Sequence, residues 1–415
     1  MNLKRVVVTG LGSLTPLGND VTSTWQSMLN GVSGASLITR FDTTKFKCKI
    51  ACEVKGFDPL EYFDRKESKK LDLFSQFGMV ASEEAIKDSA IDTLPDKKRI
   101  GVIWGSGNGG VFTFQDEVMK YVEGNKTPYF SPFFCTRMIS NICAGLISIR
   151  HGYRGPNYCT VAACASSAAA ISDAFNLIRL GKADAIIAGG SEAAVTECSI
   201  GGFTSMQALS LRNDDPATAS RPFDKDRDGF VLAEGAGALV LEEMEHAISR
   251  GAKIYAELTG CGLSADAFHI TASHPDGDGA YEAMRIAIEE SGMKPEDVDH
   301  INTHGTSTPI GDRSEPKAIA RLFGDHAKKI NLNSTKSMTG HMLGAAGGVE
   351  AIATILAIKE GIVPPTINHF TDDPNIEPLN FTFHKAVKRD VRFALSNAFG
   401  FGGHNVCLAF KKFES

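Results

Sequence analysis

The sequence predicts an α/β fold in which two halves repeat one order of strands and helices and bury their sheets on both faces. Three observations point there. Short, near-continuous apolar runs such as Val6-Val7-Val8 read as strands with no solvent-facing side. Strings of small residues recur at matching points, Thr9-Gly10-Leu11-Gly12 early and Thr259-Gly260-Cys261-Gly262 late. The length of 415 residues, with 43% hydrophobic and 22% charged, is that of a globular chain with a substantial core.

The elements follow in order. After the opening strand, an amphipathic helix ends at Ala85-Ile86-Lys87-Asp88-Ser89-Ala90, and a charged turn leads to a strand over 100–104. The later segment does the same: a strand over 256–262, a helix ending at Ala287-Ile288-Glu289-Glu290-Ser291-Gly292, and a strand over 300–303. Residues 158–165 read as a short strand and turn. From Ser166 on, Ile171, Ala174, Phe175 and Ile178 fall at helical spacing, predicting a helix to residue 180 with Gly181 as its cap. Its counterpart is a strand over 331–334 followed by a helix over 343–360 and Gly361. Strands over 185–188 and 391–396 come next in each half. The repeat divides the chain into 1–255 and 256–415. Two such halves are expected to stack their sheets around shared buried helices and bring loops from both to one place.

Composition narrows the function. A net charge of −6 argues against broad nucleic-acid binding. No apolar run approaches the roughly 18 residues of a membrane helix, and the N-terminus runs directly into a strand without a signal-peptide pattern. The nine cysteines are odd in number and form no Cys-x-x-Cys pair, which suits reduced thiols in the cytoplasm.

Three motifs invite over-reading. Gly105-Ser106-Gly107-Asn108-Gly109-Gly110 has the dinucleotide-binding spacing, yet no acidic residue ends a second strand about 20 residues on. Asp224-Lys225-Asp226-Arg227-Asp228-Gly229 imitates half a calcium loop, but its twelfth position is Gly235 and a strand follows, so a tight charged turn is expected. No histidine has the paired spacing of a zinc site, so no metal is expected. Arg65, Lys66, Lys69 and Lys70 concentrate four cations on one helical stretch, either a solvated face or a dock for an acidic partner.

Against that background Cys164, in Ala162-Ala163-Cys164-Ala165-Ser166-Ser167, stands at the expected start of a helix. Unpaired N–H groups and the helix dipole there favour thiolate, although a lone cysteine is also a common buried residue. Three further motifs sit just after predicted strands, where ligands bind in α/β sheets. They are Asn302-Thr303-His304-Gly305-Thr306-Ser307-Thr308, Ser334-Thr335-Lys336-Ser337-Met338-Thr339-Gly340-His341 and Asn397-Ala398-Phe399-Gly400-Phe401-Gly402-Gly403. One histidine at such a place is commonly structural. Two, with a lysine, a cysteine and a Gly-rich loop, form a constellation.

With these motifs, and with Arg221-Pro222-Phe223-Asp224 and Asp228-Gly229-Phe230, the chain resembles the β-ketoacyl-acyl-carrier-protein synthases, and most closely their type II elongating members, from Val6 to Leu408. The resemblance implies a thiolase-like duplicated αβαβα layered sandwich working as a homodimer. It implies Cys164 as the acyl-accepting nucleophile, His304 and His341 as the pair handling a malonyl group, and Lys336 beside them, with Glu350 and Glu315 in support. Phe401 is implied as the gate, its N–H forming an oxyanion hole with that of Cys164. Thr306, Thr308, Phe203, Asn108 and Gly402 are implied at the substrate, and Arg65, Lys66, Lys69 and Lys70 at the dock for acyl carrier protein. Phe133 and Phe134 are further candidates for an apolar tunnel. No permanent cofactor is implied, since substrates ride on the carrier's phosphopantetheine arm.

A cysteine suits the implied reaction because moving an acyl group between thiols exchanges one thioester for another. Two neutral imidazoles would donate hydrogen bonds to the enolate left by decarboxylation, and a helix start after His341 would keep that ring uncharged. The chain departs from the commoner family pattern at Ala163 to Ser167, at Asn108 and at His404. Alternatives are a polyketide-type ketosynthase and a non-catalytic chain-length subunit, the latter normally lacking the cysteine present here.

Overall fold

The structure, a computed structural model, describes residues 3–414. Ten strands form one hydrogen-bonded sheet: β1 (Val6–Leu14), β2 (Ile100–Gly105), β3 (Asn157–Thr160), β4 (Ala185–Glu192), β5 (Gly235–Glu243), β6 (Ala256–Ala265), β7 (His300–Asn302), β8 (Asn331–Asn333), β9 (Phe393–Gly400) and β10 (His404–Lys411). Their spatial order is β8-β7-β9-β10-β6-β1-β5-β4-β2-β3. Read outward from the middle, β1-β5-β4-β2-β3 on one side matches β6-β10-β9-β7-β8 on the other, with the same parallel and antiparallel pairings.

Five helices matter for the site: α1 (Leu73–Ser89), α2 (Ser166–Arg179), α3 (Asp278–Ser291), α4 (Gly311–Phe323) and α5 (Ala346–Glu360). The inner pair, α2 and α5, touch each other and pack against strands of both five-strand sets. On the outer faces, α1 covers β1 and β5, and α3 covers β6 and β10. Helix, sheet, helix, sheet and helix thus make five layers, the duplicated αβαβα arrangement. The two sets are not merely stacked, as expected from sequence, but joined at an edge where Val6, Val7 and Val8 pair with Leu258, Glu257 and Ala256.

The echoed small-residue strings do one job twice. Thr9 in β1 and Thr259 in β6 are each skipped by a neighbouring ladder, a bulge that frees the N–H two residues on. Asp88 of α1 accepts the N–H of Leu11 at 3.1 Å, and Glu290 of α3 accepts that of Cys261 at 2.8 Å. The glycines let the outer helices close in: a Cβ on Gly10 would lie 2.2 Å from the Ala85 carbonyl oxygen, and one on Gly260 2.2 Å from that of Ala287.

Helix α2 ends at Arg179, with Gly181 left-handed at φ +68° and its N–H on the Ile178 carbonyl at 2.9 Å. The helix expected over 343–360 begins as a tighter turn, Leu343–Ala345, before α5 proper. Among the described residues no helix is long and apolar enough to cross a membrane.

Candidate active site

Cys164 lies between β3 and α2 in a tight turn. Ala163 is held at φ +48°, and Ser166 Oγ donates to the Ala163 carbonyl at 2.7 Å while accepting the Ala162 N–H at 2.9 Å. This strained turn aims the sulfur at a cavity of about 370 Å³. Cys164, Phe203, His304, Thr306, Thr308, His341 and Phe401 all line it.

His304 follows β7. Glu315 of α4, wholly buried, accepts the N–H groups of His304 and Gly305 at 2.9 and 3.0 Å and the Asn397 amide at 3.0 Å. His341 is fixed by backbone pairing, its N–H on the Val231 carbonyl at 2.8 Å and its carbonyl accepting from Ala233 at 3.0 Å. The two imidazoles meet edge to face, with centroids 5.4 Å apart at 83°. Among the described residues Nδ1 of each is buried without a partner, and both rings line the cavity.

Behind them Lys336, 1% exposed, is ion-paired with Glu350 of α5. Burial pushes the Glu350 carboxyl up to about 7 against the pull of Lys336. Burial first, then the Lys336 charge, holds His341 well below the ordinary histidine range; His304 is lowered by the same two and by His341. The rings are therefore neutral, through burial and the ammonium more than through the helix start expected to do it.

The thiol departs from expectation. Burial pushes Cys164 up to about 12, although Lys336 and the N–H groups of Phe401 and of Cys164 itself pull it down. Burial thus favours the thiol over the thiolate. Those same two N–H groups therefore lie near the sulfur.

Phe401 lies between β9 and β10, 6.4 Å from Phe203, and Phe203 leads by edge contacts to Phe230 and so to His341. Thr306 and Thr308 share a hydrogen bond of 3.0 Å between their hydroxyls.

Several residues singled out from sequence lie elsewhere. Asn108 is exposed, its N–H bound to Glu192 at 3.0 Å, and Gly402 is exposed at φ +86°; neither lines the cavity. Phe133 and Phe134 do not reach it either: Phe133 lies under Lys70 and Phe134 stacks on Phe130. Arg65, Lys66, Lys69 and Lys70 are exposed on and just after the short helix Arg65–Ser68, and none is ion-paired among the described residues.

Residues 3–247 match the Beta-ketoacyl synthase N-terminal domain and residues 255–370 the C-terminal domain. The chain belongs to the β-ketoacyl synthase family. It is 51% identical over 413 residues to 3-oxoacyl-(acyl-carrier-protein) synthase 2 of Synechocystis sp. (strain ATCC 27184 / PCC 6803 / Kazusa), covering 99% of each chain. It is 48% identical over 414 residues to 3-oxoacyl-(acyl-carrier-protein) synthase 2 of Staphylococcus aureus (strain COL), again covering 99% of each. Among solved structures, a ketosynthase in complex with a type II polyketide acyl-carrier protein superposes with a TM-score of 0.91 at 32% identity, over 99% of this chain and all of that one.

Two groups in this β-ketoacyl synthase escaped the sequence reading. Asp224 to Gly229 is a turn as expected, but Arg227 within it braces the threonine loop: it donates to the carbonyls of Thr308 and Pro309 at 3.1 and 2.9 Å and to Asp373 at 2.9 Å. Asp312 holds the same loop through the N–H of Ser307, which sits at φ +70°. The other is Glu192 at the end of β4, wholly buried. Its carboxylate takes the N–H groups of Gly107 and Asn108 at 2.8 and 3.0 Å, so the Gly-rich loop that mimics a dinucleotide motif has spent those donors internally. The signal for Glu192 was a lone acid ending an apolar strand, Ala185 to Glu192.

Proposed function

We propose that this acyltransferase joins malonyl-acyl-carrier protein to an acyl group held on Cys164, lengthening a fatty acyl chain by two carbons. The observation that carries the reading is the single cavity lined by Cys164, His304 and His341. In the first half-reaction the Cys164 sulfur attacks the acyl thioester, the carrier's thiol leaves with a proton, and the N–H groups of Cys164 and Phe401 receive the oxyanion. In the second, the malonyl carboxylate departs as carbon dioxide while N–H donors of His304 and His341 hold the enolate oxygen. The enolate carbon then bonds to the acyl carbon, and the Cys164 sulfur leaves as thiolate and regains a proton.

Lys336, with Glu350 and Glu315 behind it, sets the field that keeps both imidazoles uncharged. Thr306 and Thr308 fit hydrogen bonds to the phosphopantetheine arm, and Arg65, Lys66, Lys69 and Lys70 fit an acidic carrier protein. We read the enzyme as a cytoplasmic homodimer of chains divided at about residue 255, with no permanently bound cofactor.

The test is a two-stage assay: load Cys164 from an acyl carrier, add malonyl carrier, and look for the 3-oxoacyl product. The reading requires the product in the wild type, and acylation without condensation in His304→Ala and His341→Ala. Normal condensation in either variant overturns that histidine's role. A polyketide-type ketosynthase is a second reading, supported by the fold shared with such enzymes. A product that carries several unreduced keto groups would favour it.

A further inference from the structure

Glu192 stands outside the catalytic set, yet its carboxylate is the point where three segments around the nucleophile meet. Oε1 accepts the Asn108 N–H at 3.0 Å and the Ser106 hydroxyl at 3.3 Å. Oε2 accepts the N–H groups of Gly107 at 2.8 Å and Gly344 at 3.0 Å. Ser106 to Asn108 follow β2 in the first half of the chain, whereas Gly344 lies three residues after His341 in the second. Its neighbour Leu343 lines the cavity, at φ +47°. The two loops nearly touch: a Cβ on Gly344 would come within 2.4 Å of the Gly107 nitrogen and 2.7 Å of Glu192 Oε2. Backbone donors from two loops therefore share one buried carboxyl group, and among the described residues no side chain other than the Ser106 hydroxyl takes part in the hydrogen bonding.

We infer that Glu192 is a positioning residue for the condensation: by binding both loops it sets Leu343 and the segment leading from His341 in register with Cys164. The inference rests on the acyl-transfer reading of the same cavity. Without the carboxylate the donors of Gly107 and Gly344 would face each other unpaired, and the loops would part. The carboxylate also acts on the nucleophile through space, its charge opposing formation of the Cys164 thiolate.

Glu192→Gln keeps the shape but turns one pair of donors toward an amide N–H₂. Expected is a folded protein that still loads acyl groups on Cys164, with kcat for condensation at least tenfold lower and KM for malonyl carrier within twofold of wild type. At pH 8.5 the alkylation rate of Cys164 by iodoacetamide, followed by peptide mass, should rise, because a charge that opposes the thiolate is gone. Gly344→Ala, which forces the loops apart with the charge retained, should lower kcat similarly without that rise, and it carries the test if Glu192→Gln does not fold. Wild-type kcat in either folded variant overturns the inference, as does a loss of kcat no larger than the loss of folded protein. Failure of the wild type itself to acylate Cys164 would instead refute the acyl-transfer reading.

Discussion

Lys336 and Glu350 form an ion pair sealed from solvent behind the two cavity imidazoles, with Glu350 Oε2 left without a partner among the described residues. Removing the cation strands a buried carboxylate, which costs about 3–5 kcal/mol in comparable pairs. Lys336→Ala should therefore lose stability on that scale in denaturant unfolding. The double variant Lys336→Met, Glu350→Leu should recover much of it while remaining inactive. Recovery of activity along with stability would contradict a role for the ammonium in the site.

The same ammonium lowers the Cys164 thiol against burial. Lys336→Met should slow alkylation of Cys164 at pH 8, opposite in direction to Glu192→Gln. An unchanged rate would show that its charge does not reach the sulfur.

Both imidazoles are held well below the usual histidine range by burial and by Lys336. The neutral rings, each donating through one N–H, persist as pH falls through the ordinary value of about 6.5. Decarboxylation of malonyl carrier should accordingly stay flat from pH 8 down to about 6. A midpoint near 6.5 in that rate would mean that at least one ring titrates as if exposed.

Gly400 lies against the nucleophile turn. A Cβ there would be 2.5 Å from the Ala162 carbonyl oxygen and 3.2 Å from the Cys164 nitrogen. Gly400→Ala should push the Phe401 N–H off the sulfur. Loss of one such donor costs about 3 kcal/mol in comparable sites, so acyl transfer should fall by roughly a hundredfold. A variant that loads at the wild-type rate would exclude the Phe401 amide from oxyanion binding.

The four exposed cations after Asp64 offer a surface test. Lys69→Glu with Lys70→Glu should raise KM for carrier-borne substrates and leave small thioesters almost untouched. Equal losses on both would remove the dock.

What was legible in the sequence was what repeats or clusters locally. The strings at Thr9 and Thr259 advertised the duplication because each bulge needs glycines beneath a helix and an acid at that helix's penultimate position, Asp88 or Glu290. The candidate site was legible because Cys164, His304 and Lys336 each follow closely on a strand beside small residues. Glu192 and Arg227 were not, since their partners lie more than 80 residues away in sequence for all of the bonds that matter at Gly107, Gly344 and Thr308. The thiol was misjudged for a related reason: a helix start is visible in sequence, whereas the burial that outweighs its dipole is not. Asn108 was likewise placed at the substrate through the family resemblance, while its N–H is bound to Glu192.

The most direct measurement is the intact mass of the protein after mixing with acyl carrier protein bearing a saturated acyl chain. The account predicts a single added acyl group in the wild type, mapped to Cys164 and absent from Cys164→Ala. An adduct that survives in Cys164→Ala, or none in the folded wild type, would contradict it.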